Sequence, residues 1–211
     1  MNSESELGMS ATIKLYGGKL SGHSHRVELL LGLLSLPYEL IPTPPAERKT
    51  PAYLAMNPFG QIPVIDDDGT VVADSNAILI YLAKRYDTTE TWLPEDPVSA
   101  AAVQRWLSVA AGQLAYGPAT ARLGKVFNLP VDGRQAAEIA SSLFSVMDGH
   151  LAKHEFLAAT HPTVADLACY SYTRAAPEGG IELSSYPNIV AWLGRLEALP
   201  NFQRMPSAPA S

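Results

Sequence analysis

The stretch GQIPVIDDDGTVVADSN, residues 60–76, decides the fold of this chain. Apolar residues lie on both sides of Asp68-Gly69, a dipeptide typical of tight hairpin turns, so residues 62–73 predict two short antiparallel strands. Pro63 stands at the start of the first strand, a position where its missing N–H is tolerated. Asp74 follows the second strand and is placed to cap a helix that runs to about Tyr86.

The residues before this hairpin predict alternating strands and helices. Residues 11–17 alternate in the manner of a short strand, and leucines spaced three and four apart predict a helix over residues 24–35. YELIP, residues 38–42, predicts a second strand, and a short helix is predicted over residues 51–56. With the hairpin and the helix after it, the first 86 residues have the order βαβαββα.

The residues after Trp92 predict only helices. Apolar residues at helical spacing recur around Val103 and between residues 139 and 151, and two further helices are predicted over residues 164–175 and 188–199. The segment YDTTETWLPEDP interrupts both patterns with polar residues and prolines. We therefore expect a mixed α/β domain over residues 11–86 and an all-helical domain over residues 93–203.

The composition limits the classes of partner. The chain has 211 residues, of which 47% are hydrophobic and 17% charged, as in ordinary globular proteins. Its formal net charge of -6 lacks the basic surface of nucleic-acid binders, so no nucleic acid is expected. The apolar run near residues 29–36 is too short to span a bilayer, and the acidic N-terminus does not match a secretory signal. We expect a cytoplasmic protein without a membrane partner.

Cysteine and metal-ligand patterns exclude several kinds of site. Cys169 is the single cysteine, which excludes an internal disulfide and fits a reducing compartment. His150 and His154 are four residues apart on a predicted helix but have no accompanying third ligand, and the aspartates at 66–68 lack the spacing of a calcium loop. Residues 163–166 match a helix capping box instead. The sequence predicts no metal and no cofactor.

Pro63 and the Asp74-Ser75 pair suggest a peptide ligand. A cis Ile62-Pro63 bond would turn the N–H and C=O of Ile62 away from the sheet, where they could pair with an extended peptide. The amides at the start of the following helix, with the Ser75 hydroxyl, form a site for a carboxylate, and the Asp74 carboxylate could meet an ammonium. A strand boundary and a helix cap are the simpler interpretations of these residues.

Two distant motifs resemble those of the cytosolic glutathione transferases. MNPFGQIPVIDDDGTVVADSNAILIYLAKRY is similar to the glutathione-binding core of that family, and PTVADLACYSY is similar to the capping-box segment of its helical domain. The resemblance covers nearly the whole chain and implies a thioredoxin-like domain followed by a helical bundle. It also implies a detoxifying transferase with glutathione as co-substrate, and a homodimer in which Phe59 contacts the partner subunit.

The same resemblance implies roles for residues of the hairpin. Ile62 is expected to bind the cysteinyl backbone of glutathione, with Pro63 in the cis form, and Asp74 and Ser75 are expected to bind its γ-glutamyl group. Many relatives carry Glu or Gln at the Asp74 position, so this side chain has a shorter reach. Lys49 and Gln61 are placed to meet the glycine carboxylate, although Lys49 could equally be a solvated surface residue.

The resemblance places the thiol-activating group in SGHSHRV, residues 21–27. Ser21 matches the serine of zeta- and theta-like classes and is the first choice, because a hydroxyl donor and a helix N-terminus both favour thiolate over thiol. His23 stands where zeta-like proteins have cysteine and nu-like disulfide reductases have asparagine, and it could donate to sulfur or order the loop. His25 is expected to point elsewhere, and Tyr16 is interpreted as structural.

The predicted reaction joins the glutathione thiolate to a small hydrophobic electrophile. Tyr116 and Arg122 are the candidates for the electrophile pocket, which is expected between the first loop and the helical domain. Packing and a helix-end charge are the simpler interpretations of these two residues. Two alternatives stay open: a nu-like glutathione-dependent disulfide reductase or peroxidase, and a non-catalytic interaction module with the same fold.

Overall fold

A four-stranded mixed sheet forms the N-terminal half of the computed structural model, which describes residues 12–209. The strand order is β2-β1-β3-β4, with β1 and β2 parallel and the other neighbours antiparallel. The strands are β1 Ile13–Gly17, β2 Tyr38–Pro42, β3 Val64–Asp67 and β4 Thr70–Ala73. Residue 11, where the first strand was expected to start, lies outside the described residues.

Three helices cover the sheet and complete the predicted βαβαββα order. They are α1 Gly22–Leu33 between the parallel strands, α2 Pro51–Met56 after β2, and α3 Ser75–Tyr86 after β4. Up to residue 209, the second half contains helices and no strand. The α-helices are α4 Pro97–Ala111, α5 Thr120–Val126, α6 Gly133–Leu151, α7 Val164–Arg174 and α8 Pro187–Glu197. The predicted fold class, a thioredoxin-like domain followed by a helical domain, is confirmed.

The core is continuous across the two halves because α7 lies between them. This helix is buried from Val164 to Thr173, and it packs against α1, α3 and α4. The predicted capping box at its start is present, since Asp166 accepts hydrogen bonds from the N–H and hydroxyl of Thr163. Asp166 also accepts from Trp192 at 2.9 Å, which ties α8 to the same point.

A π-helical turn at Ala115–Ala119 and the helix α5 were not predicted. Pro118 lies inside this turn and removes a backbone donor, and the Thr120 hydroxyl donates to the Ala115 carbonyl at 2.9 Å. A Cβ at Gly117 would lie 2.9 Å from the Ala140 nitrogen, so the close approach to α6 needs glycine. The Gly-Pro pair interrupts the apolar period on which the sequence-based prediction depends.

No helix within residues 12–209 combines the length and apolarity needed to cross a bilayer.

Candidate active site

The Ile62-Pro63 bond is cis, as predicted. The strand ladder begins at Val64, and within residues 12–209 neither the N–H nor the C=O of Ile62 forms a hydrogen bond. The Gln61 carbonyl just before it is fixed by the Tyr53 hydroxyl at 2.8 Å and the Asn57 amide at 2.9 Å. The backbone of Ile62 is therefore available to an extended ligand while the residue before it is anchored.

The N-terminus of α3 lies beside this open backbone. Val64 pairs with Ala73, so continuing the antiparallel register places Pro63 opposite Asp74. Asp74 has a positive φ of 75°, which is uncommon for a non-glycine residue, and its Oδ1 accepts the N–H groups of Asn76 and Ala77. Capping thus uses one carboxylate oxygen, while Oδ2 has no hydrogen bond within the described chain.

Ser75 is buried against two side chains of α1. Arg26 Nη1 donates to Ser75 Oγ at 3.3 Å and to Asn76 Oδ1 at 3.0 Å, and Nδ1 of His23 lies 3.4 Å from the same hydroxyl. Burial, assisted by the Arg26 charge, lowers the pKa of His23 to about 3, so the ring is neutral at physiological pH. Through its contact with Ser75, the neutral His23 ring connects the start of α1 to the start of α3.

Ser21 occupies the N-cap of α1. Its Oγ accepts the N–H of Ser24 at 3.2 Å, so the hydroxyl proton remains free to be donated elsewhere. Ser24 Oγ in turn accepts the N–H of Gly18 at 3.2 Å, which closes the loop onto the helix. The partial positive charge of the helix N-terminus acts at the same place. A thiol brought to Ser21 would meet a hydroxyl donor and a helix end.

Arg122 holds this loop from the helical domain. Its buried guanidinium donates from Nη1 to the Leu20 carbonyl at 2.8 Å and from Nε to the Glu178 carboxylate at 2.7 Å. Glu178 also accepts the N–H of Ala208 at 3.2 Å. The residue directly before Ser21 is thus fixed across the domain interface. Contact of Arg122 with an electrophile stays a prediction, and holding the loop is a role that the sequence did not indicate.

Three other predicted site residues lie at the surface. Lys49 is exposed and lines a hollow of about 330 Å³ together with Phe59. Gln61, two residues after Phe59, is also exposed. Tyr116 is 67% exposed and lines a separate hollow of about 340 Å³ with Asp132. The side chains of these three residues form no hydrogen bond within residues 12–209, so their contacts with a ligand stay predictions.

His25 and Tyr16 have structural surroundings. Nδ1 of His25 is 2.9 Å from Ser171 Oγ, and its Nε2 is 2.8 Å from the Gln203 carbonyl, so this ring joins α1 to α7 and the C-terminal segment. Burial lowers the pKa of His25 to about 4. Tyr16 packs edge-on against Tyr53, with 6.4 Å between ring centroids. Both agree with the sequence-based interpretation.

The single cysteine of the chain is far from the first loop in sequence and is buried. Cys169 is buried on α7, and its Sγ donates to the Trp106 carbonyl at 3.7 Å. Burial raises the pKa of this thiol to about 12, so it remains protonated at neutral pH. Any thiolate beside Ser21 must therefore come from a ligand.

The histidine near the end of α6 and the one in the segment after it contact each other. The rings of His150 and His154 stack with centroids 4.3 Å apart, and Nε2 of His150 is 3.0 Å from the Leu157 carbonyl. Across the described part of the chain, no group of three or more His, Cys, Asp or Glu is placed to hold a metal ion.

Sequence reasoning missed Arg26 and Tyr172, which both contact the site residues. The Tyr172 ring packs on Gly22, where a Cβ would lie 2.8 Å from ring atoms, and against the edge of His23 with centroids 5.0 Å apart. Arg26 is surrounded in sequence by residues of the buried face of α1. An arginine on an apolar helix face is a signal that could have been noticed, because an unpaired buried charge is rare.

Comparisons with known proteins agree with this fold. Residues 20–85 match the model for the glutathione S-transferase N-terminal domain, and residues 134–200 match that for the C-terminal domain. Glutathione S-transferase 3 of Zea mays is 32% identical over an alignment of 214 positions, which covers 94% of this chain and 95% of that protein.

Solved structures are similar over the same length. The crystal structure of a glutathione S-transferase from Pseudomonas fluorescens has a TM-score of 0.86 and 34% identity, covering 92% of this chain and 99% of that one. A glutathione transferase homologue from Drosophila mojavensis, solved with bound glutathione, has a TM-score of 0.79 and 25% identity, covering 90% and 89% of the two chains.

Proposed function

Because this chain belongs to the glutathione S-transferase family, we propose that its first domain binds glutathione along Ile62 and the N-terminus of α3. The observation that carries the proposal is the free backbone of Ile62 beside the start of that helix. An extended peptide can pair with such a backbone, and its anionic end can bind at the helix amides. The related Drosophila mojavensis protein, which was solved with glutathione, supports this ligand.

Each end of glutathione then has a chemically suitable neighbour. The γ-glutamyl ammonium meets Oδ2 of Asp74, which capping leaves free. The adjacent carboxylate meets the hydroxyl and the N–H of Ser75, because the next two amides of α3 already donate to Asp74 Oδ1. The N–H and C=O of Ile62, next to Pro63, pair with the cysteinyl backbone. Lys49 and Gln61 are the proposed contacts of the glycine carboxylate.

Ser21 is the proposed partner of the glutathione sulfur. A free thiol has a pKa of about 8.5, so most of it is protonated at neutral pH. The Ser21 proton, free because Oγ accepts the Ser24 N–H, can be donated to a thiolate, and the N-terminus of α1 favours the same anion. The neutral ring of His23 is the second candidate donor.

The proposed reaction is conjugation to a small hydrophobic electrophile. The thiolate sulfur forms a bond to an electrophilic carbon, and either a leaving group departs with its electron pair or a proton is taken up by the adduct. The helical domain provides the other wall of the pocket, for which Tyr116 and Arg122 remain the proposed residues. Disulfide reduction would use the same thiolate to attack sulfur instead of carbon.

Calorimetric titration with reduced and then oxidised glutathione tests the binding site. We expect one saturable site per chain for the reduced form, weakened by Ser75→Ala and unaffected by Ser142→Ala on the exposed surface of α6. Rates with an activated aryl halide and with a small disulfide then separate conjugation from disulfide reduction. Failure to bind either form of glutathione would contradict the proposal and favour the interaction module.

We further propose that the protein is a homodimer. Phe59 is 85% exposed, and its N–H is fixed by Asn57 Oδ1 at 3.1 Å, so a large apolar side chain projects from an anchored backbone. Insertion into a partner subunit would remove it from water. Sedimentation should give a dimer at micromolar concentration and a shift toward monomer for Phe59→Ser. A monomeric unmodified protein would end this proposal.

The proposed location is the cytoplasm. Glutathione is kept reduced there, and a chain with one buried cysteine needs no oxidising compartment.

A further inference from the structure

Arg26 is a buried cation that has no carboxylate bound to it. The residue is 1% exposed, and within residues 12–209 its Nε and Nη2 atoms have no hydrogen-bond partner. Asp74 is the nearby carboxylate whose charge acts on it, but the two side chains form no ion pair, and Asp74 Oδ1 caps α3. An unpaired buried charge is strongly unfavourable, which calls for a compensating anion.

The hydrogen bonds of Arg26 fix the direction of its neighbours. A guanidinium can only donate, so both Ser75 Oγ and Asn76 Oδ1 accept from Nη1. Asn76 is held in this orientation because its side-chain amide donates to the Leu107 carbonyl at 3.1 Å. The single proton of Ser75 must then point away from Arg26, toward His23 Nδ1 or toward a ligand.

We propose that Arg26 is a positioning residue for the anionic end of the ligand. It holds Ser75 as a hydrogen-bond donor and supplies, from inside the protein, the positive charge against which the γ-glutamyl carboxylate of glutathione binds. This inference rests on the proposed function and deepens it, because it explains selection for a ligand with a carboxylate at this end. The bound carboxylate adds an anion that compensates the Arg26 charge, beside Asp74, which forms no ion pair with Arg26 because its Oδ1 caps α3.

The test compares two ligands that differ by this carboxylate alone. One is glutathione, and the other is 4-aminobutyryl-cysteinylglycine, in which the α-carboxylate is replaced by hydrogen. We expect the unmodified protein to prefer glutathione, and Arg26→Met to reduce that preference by about tenfold or more, since the carboxylate loses the buried positive charge and the fixed orientation of the Ser75 hydroxyl. Affinity for the analogue should change little. Calorimetry measures both ligands on each protein.

Two further variants separate charge from shape. Arg26→Gln keeps a neutral donor and should lose the preference as Arg26→Met does, whereas Arg26→Lys should retain part of it. Arg105→Met, at an exposed position of α4, is the matched control and should leave the preference unchanged. If Arg26→Met does not fold, the Gln and Lys variants give the same comparison, and thermal unfolding checks each protein.

The outcomes distinguish this inference from the proposed function. An equal loss of affinity for both ligands in Arg26→Met would assign Arg26 a purely structural role and overturn the inference. The same holds if the unmodified protein binds glutathione and the analogue equally well, although glutathione binding itself would then stand. Binding of neither ligand would remove the proposed function together with the inference.

Discussion

Ser21→Ala is expected to lower kcat/KM for an activated aryl halide by about 100-fold, with less than about a threefold change in the dissociation constant of glutathione. The hydroxyl stabilises charge on sulfur, so its loss affects the thiolate form more than the binding of the peptide. Steady-state rates and calorimetry on the same preparations measure the two quantities. The spectroscopic pKa of bound glutathione should rise in parallel.

A helix-capping role must be separated from this catalytic role, because Ser21 Oγ accepts the Ser24 N–H. At an N-cap, alanine destabilises a helix by about 1 kcal/mol, whereas glycine does so by only a few tenths. Ser21→Gly therefore removes the hydroxyl with little loss of stability, and Ser21→Thr keeps both hydroxyl and cap. If the hydroxyl matters, Ala and Gly variants are equally slow and the Thr variant retains most of its activity.

The opposite pattern would point to a different residue. The activities of the Ser21 variants could instead follow their stabilities, with Ser21→Gly nearly as active as the unmodified protein. Ser21 would then serve only as the N-cap of α1. Full activity of Ser21→Ala across several electrophiles would make His23 the leading donor. Its neutral ring, which faces Ser75 in the ligand-free chain, would then have to turn toward the sulfur.

Arg122→Met is expected to lower the free energy of unfolding by about 3 kcal/mol. The substitution leaves the Glu178 carboxylate and the Leu20 carbonyl without the guanidinium that binds both. Glu178 is 23% exposed on its side chain, so water limits the effect to the lower part of the range for buried pairs. Denaturant unfolding measures the loss, and kcat should also fall because Leu20 directly precedes Ser21.

Surface arginine provides the matched control for this substitution. Arg134 forms an i,i+4 pair with Glu138, but its side chain is 89% exposed, so Arg134→Met should change stability by less than about 0.5 kcal/mol. A double-mutant cycle of Arg122→Met with Glu178→Gln isolates the pair itself. A change for Arg122→Met as small as that for Arg134→Met would show that this contact does not hold the loop.

The hairpin and its following helix could be predicted because their signals are local. The Asp68-Gly69 turn, the strand-start proline and the Asp74 cap each specify the conformation of residues within a few positions, and β4 and α3 lie where they were expected. Likewise YELIP and residues 51–56 form the predicted strand and short helix. The order of these elements then determined the fold class of the first half.

The interactions that position the site could not be predicted in the same way. Arg26 and Ser75 are 49 residues apart in sequence, Leu20 and Arg122 are 102 apart, and His25 and Ser171 are 146 apart. No local pattern specifies which of several arginines meets which carbonyl across two packed domains. Such contacts depend on the path of the chain, including the unpredicted turn that precedes α5.

The burial of Cys169 affects how the protein responds to oxidants. Enzymes that depend on an accessible cysteine lose activity when oxidants convert its thiolate to sulfenic or sulfinic acid. Here the one cysteine is buried and stays protonated, so peroxide has no protein thiolate to attack. In an oxidised cell such an enzyme loses no catalytic thiolate of its own, so we expect its rate to follow the supply of reduced glutathione and to recover when that supply is restored.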